Sequence, residues 1–149
     1  MLDFLWTLKG SIPLDPTASY GSVLDRVAAM LVDQKKPATR AEANAVTFNV
    51  PFWRRERSWK ALVIYNEGRF WTEHGLDGRV LCYRLSCLHL FVGCLVLAGF
   101  LTLITLPALP HDAETAYGNL YFVAGVYAVN MLVGWFRASR VIREAVGRR

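Results

Sequence analysis

His89 lies inside a 22-residue apolar stretch, Leu85 to Leu106, where an imidazole is a natural contact for haem or a quinone. A bis-histidine haem needs a second imidazole at matching depth, and His74 and His111 fall outside the apolar segments, on opposite sides. The simpler use is a hydrogen bond between helices. His89 stands about 7 Å past Arg84 along a helix, and Asn130 about 10 Å before Arg137, so the two are expected to meet at similar depth. Such a pair contributes about 0.6 to 2 kcal/mol. Cys82, Cys87 and Cys94 contain no CxxC spacing and lie at or inside the same stretch, so they are expected as free, small apolar residues. Glu67, Glu73, His74 and Asp77 match no metal or acid–base spacing, and the chain has no nucleophile elbow, HExxH or phosphate-cradling glycine loop. No catalytic residue, cofactor or metal is expected, and the chain reads as non-enzymatic.

The segment PFWRRERSWK (51–60) interleaves Trp53 and Trp59 with Arg54, Arg55, Arg57 and Lys60. Three uses suit it. At a bilayer surface the rings sit in the headgroup zone while the cations bind phosphate. At a protein interface the same types act as hot spots. In a solvated loop the two Trp fold back into a small core. Nucleic acid is not expected, because no binding fold accompanies the patch.

The elements that must position these residues are dominated by two uncharged runs. Residues 85–106 and 118–136 contain no Asp, Glu, Lys or Arg. As helices they would be about 33 and about 28 Å long, against a hydrocarbon core of about 30 Å. Too little chain remains to wrap two helices that are apolar on every side, so a two-helix transmembrane hairpin is expected. MLDFLWTLKG lacks a basic leader, which makes the first span an internal signal anchor. The loop 107–117 carries Asp112 and Glu114 and no cation, while the basic tail 137–149 holds Arg137, Arg140, Arg143, Arg148 and Arg149. Both termini are therefore expected on the cytoplasmic side of the inner (plasma) membrane. The net charge of +5 is the ordinary state of a protein facing an anionic leaflet. Cys94, Ala98 and Thr102 recur every four residues on the first span, and Gly125 and Ala128 belong to a similar stripe on the second; both would allow close helix packing.

Residues 1–84 read as a cytoplasmic α+β domain. The spacing of Val23, Val27, Met30 and Leu31 predicts an amphipathic helix within 16–36, capped by Thr17 or Ser19. Alternation at Val46, Phe48 and Val50 predicts a strand over 43–51. An antiparallel meander follows, with strands at 59–65, 69–74 and 79–83 and turns at Asn66–Gly68 and Gly75–Gly78. MLDFLWTLKG fits a short strand or an interfacial helix.

The expectation for function is an accessory or scaffolding subunit whose hairpin packs against other integral membrane subunits, while the domain contacts partner surface and anionic lipid headgroups. A membrane-tethered lipid-binding or lipid-handling module, with an apolar pocket between sheet and helix, is the alternative.

Overall fold

The computed structural model describes residues 3–17, 19–51, 60–75, 78–105 and 113–147. After a 3₁₀ turn at Asp3–Leu5, the elements run β1 (Thr7–Pro13), α1 (Tyr20–Asp33), β2 (Ala38–Glu42), β3 (Ala45–Asn49), β4 (Glu67–Gly75), β5 (Gly78–Ser86), α2 (Leu88–Thr105) and α3 (Ala113–Gly147). The five strands form one antiparallel sheet in the order β1-β5-β4-β3-β2. An α+β fold is thus observed.

Alternation sorts the strands into two faces. Val46 and Phe48 of β3, Gly68 and Phe70 of β4, and Leu81, Tyr83 and Leu85 of β5 turn into the core. Arg69, Trp71 and Glu73 of β4, and Arg84 of β5, occupy the opposite face. α1 covers the core face with Val23, Leu24, Val27, Met30 and Leu31. Ser19 caps it, its hydroxyl accepting from the Ser22 amide at 3.2 Å. Thr17, the other candidate, donates instead to the Asp15 carboxylate.

The second covering helix is the C-terminal part of α3. Ala138 and Ile142 are fully buried in the same core as α1 and the sheet. Ser139 Oγ stands 3.4 Å from Tyr83 Oη, and the Arg26 guanidinium donates to the Val146 carbonyl at 3.2 Å, satisfying an end of α3 that its own helix leaves open. Residues 137–147, read from sequence as a tail, are therefore the continuation of one 35-residue helix.

Other differences have plain causes. The strand expected at 59–65 is a turn over residues 61–64, closed by Val63 N–H to the Lys60 carbonyl and Tyr65 N–H to the Leu62 carbonyl. Ala61, Leu62 and Tyr65 are all buried, a pattern without the period of two that a strand requires. Gly68 is not in a turn: it lies within β4, where a Cβ would overlap the Phe48 ring and Leu85. β2 escapes sequence reading because its residues are nearly all exposed and do not alternate. Leu85 and Ser86 finish β5 and do not begin a helix.

Val50 N–H donates to the Asn66 carbonyl, Asn66 N–H to Ser86, and Cys87 N–H to Trp6. These residues mark one end of the sheet, the end from which α2 departs, called here the α2 end. The β4–β5 connection lies at the other.

Candidate functional site

The α2 end is where the apolar helices, the cations and the sheet meet. Trp6 packs on Phe91 at the start of α2 (5.4 Å between ring centroids), and Phe91 meets Tyr127 of α3 edge-on at 5.5 Å. Buried Cys87 stands 3.1 Å from Met131 Sδ and donates to the Trp6 carbonyl at 3.3 Å, while the Tyr127 hydroxyl donates to the Leu5 carbonyl. With Cys87 against Met131, and seven residues joining Thr105 to Ala113, α2 and α3 must run antiparallel.

Cys94, Ala98 and Thr102 follow Cys87 and Phe91 around the helix onto the face turned toward α3. Ala98 is buried there, and Thr102 Oγ1 donates back to its carbonyl at 2.9 Å. From α3 the covering residues are Val123, Tyr127 and Met131, whereas Gly125 and Ala128 lie on its exposed back face with Tyr121, Val129, Leu132 and Phe136. His89 stands about 200° around α2 from Cys87. Asn130 is exposed, its amide donating to the Val126 carbonyl of its own helix at 2.9 Å.

Among the described residues one helix segment, Tyr117–Gly147, is long and apolar enough to cross a membrane; Leu88–Ile104 is apolar but shorter. Where the apolar run of α3 ends, Trp135 and Phe136 stack on one another at 5.5 Å, both exposed, and Arg137 follows. Arg140 pairs with Glu144 one turn on (2.9 Å), and Arg143 is exposed. Trp53, Arg54, Arg55, Arg57 and Trp59 lie outside the described residues. Lys60 anchors the far side of that segment, donating to the Asp33 carbonyl and pairing with its carboxylate at 3.2 Å.

Lys35 and Lys36 complete this end, and sequence reasoning passed over both. Lys36 is buried, donating to the Tyr65 carbonyl at 2.8 Å with its ammonium 5.6 Å from the Phe48 ring centroid. Lys35 is exposed at φ +57°, the one described non-glycine residue in the left-handed region. The available signal was the position: a helix stop before Pro37 with no glycine to take the left-handed turn.

Near the other end, Glu73 and His74 contact neighbouring side chains. Glu73 accepts from the Trp71 indole at 2.6 Å and lies 3.7 Å from Cys82 Sγ, so burial first and then the carboxylate push the Cys82 thiol up. His74 Nδ1 is 3.1 Å from the Tyr20 hydroxyl. Comparison of the chain with protein-family models, with curated proteins and with solved structures found no match.

Proposed function

We propose that this chain is a non-catalytic integral membrane protein that crosses the bilayer twice, through α2 and the N-terminal half of α3, and serves as an accessory or scaffolding subunit of a larger membrane assembly. The observation that carries the reading is the shared core. Ala138 and Ile142 pack in one body with residues of β3, β4 and β5. For a chain whose apolar helices enter the bilayer between Ser86 and Arg137, this favours two crossings over one, because α3 comes back to the domain that the chain left. Two crossings satisfy this, and the apolar surface of both helices suits lipid or neighbouring helices. Val96, Phe100 and Leu103 of α2, and Tyr121, Phe122 and Val129 of α3, are all more than half exposed. At 18 residues α2 is about 27 Å long, slightly under the hydrocarbon thickness, a mismatch that local thinning or interfacial anchors absorb.

An accessory role follows from what the back face of α3 offers. Gly125 has open space where a side chain would be, and Ala128 is exposed beside it, so a partner helix can approach closely. The arginines after Phe136 favour the cytoplasmic side for the domain. The lipid-handling alternative needs an apolar chamber between sheet and helices, the layer where Leu24, Leu31, Phe48, Phe70 and Leu81 are buried together. The test is purification of the tagged full-length protein in mild detergent, followed by native mass spectrometry. Stoichiometric co-recovery of other membrane subunits is expected. Recovery of this chain alone, or as a closed homo-oligomer, would sink the accessory role.

A further inference from the structure

We infer that the α2 end of the domain is itself a lipid-binding surface, seated in the headgroup layer of a phospholipid bilayer with Lys35 directed to phosphate. The inference rests on the proposal that α2 and α3 cross the membrane, and it adds Val32, Lys35 and Val63, which lie in neither span. Apolar side chains outside the hairpin seam are exposed around this one end. Val32 in the last turn of α1 is 66% exposed, Val63 in the turn before β4 is 40% exposed, and Trp135 and Phe136 of α3 lie alongside. Gly134 fixes their common level, since the α3 backbone there comes close enough to Ile64 that a Cβ would overlap it. This level lies beyond the point where α2 begins, so the apolar surface of α3 outlasts its partner helix and runs on beside the domain. In water these side chains gain nothing from their positions. In a headgroup layer each of them, with an aromatic pair at the border, is favourably placed.

Charge complementarity names the occupant. Among the described residues Lys9, Lys35, Lys36, Lys60, Arg69, Arg84 and Arg137 lie toward this end, with Asp3, Asp33 and Glu67. Asp33 is paired with Lys60 and Asp3 with Arg84. Lys35 holds its exposed place at the cost of a left-handed backbone that glycine would adopt freely. An exposed cation at the same end as the exposed Val32 and Val63 matches a phosphate layer over an apolar one.

The test uses full-length protein in nanodiscs of phosphatidylcholine and phosphatidylglycerol, in a Cys82→Ser, Cys94→Ala background that keeps buried Cys87. A bimane fluorophore is placed at Val32→Cys, Val63→Cys, Ala43→Cys at the opposite end of the sheet, or Leu103→Cys on α2, and chain-brominated lipid is the quencher. The labels at 32 and 63 are expected to lose fluorescence to brominated lipid and the label at 43 to keep it. Lys35→Glu is expected to relieve quenching at 32. Labels at 32 and 63 that behave like the one at 43 overturn the inference, whether water or another protein covers them. Quenching at 32 unchanged by Lys35→Glu overturns the role of the lysine. The label at 103 separates the two levels: if it too escapes quenching, the membrane-crossing proposal itself has failed.

Discussion

Lys35 occupies the position after α1 where a glycine ordinarily relieves the chain, and its Cβ makes the left-handed conformation unfavourable. Lys35→Gly should therefore stabilise the fold by about 1 kcal/mol, read as a higher melting temperature by circular dichroism in detergent; an unchanged or lower value would show that the turn carries no strain. Tyr65 is a second residue whose setting has a measurable cost. It is fully buried and its hydroxyl has no hydrogen-bond partner, and burial holds its pKa above the ordinary phenol value of 10. The folded chain then keeps this proton to higher pH than the unfolded chain does. The associated stability is complete below pH 10 and is lost as pH rises past 10 toward the folded value. Tyr65→Phe is expected to flatten that alkaline loss and to stabilise at neutral pH by up to about 1 kcal/mol, because it removes an unsatisfied buried group. Chemical denaturation at pH 8 and pH 11 checks both signs, and an alkaline slope as steep in the variant as in the parent contradicts the assignment.

Among the elements, α1 and β3 were legible from sequence because each has one buried face and one wet one, so periodicity alone identifies them. Val23, Val27 and Met30 repeat at helical spacing; Val46 and Phe48 alternate. The residues around Tyr65 were not legible as a turn, since a buried turn and a buried strand share the same apolar composition. The second half of α3 was hidden for a different reason. Ala138, Ile142 and Ala145 do recur at helical spacing, but Arg137, Arg140 and Arg143 between them dominate the composition and suggest a solvated tail. Ile142→Ala discriminates the two descriptions. As a core residue it should cost about 2 to 5 kcal/mol, measured by denaturant unfolding of the sheet domain; in a detached tail the substitution would be within about 0.5 kcal/mol of neutral. Of the candidate site, the cations and the two apolar runs were visible in the sequence. Which residues share an end of the sheet was not, because that depends on strand order and on the direction of α3.

At the scale of the whole molecule, the core of residues 1–84 is shared with the C-terminal part of α3. The sheet has two covering helices, and the chain supplies them from opposite sides of the apolar hairpin, α1 before it and the C-terminal half of α3 after it. A fragment ending at Ser86 should accordingly show no cooperative melt and poor amide dispersion by NMR, because Phe70, Tyr83 and Leu85 lose the side chains of α3 that pack with them. A cooperative transition in that fragment would mean that α3 merely rests on a finished domain. The continuity of α3 also sets the order of biosynthesis. The sheet and α1 leave the ribosome first, yet their core waits, partly uncovered, until the C-terminal half of α3 has been made and has packed against them. On the proposed two-span topology, completion of the domain then reports that both apolar helices have been inserted correctly. A molecule whose hairpin is misrouted would keep an open apolar layer that chaperones and proteases can recognise.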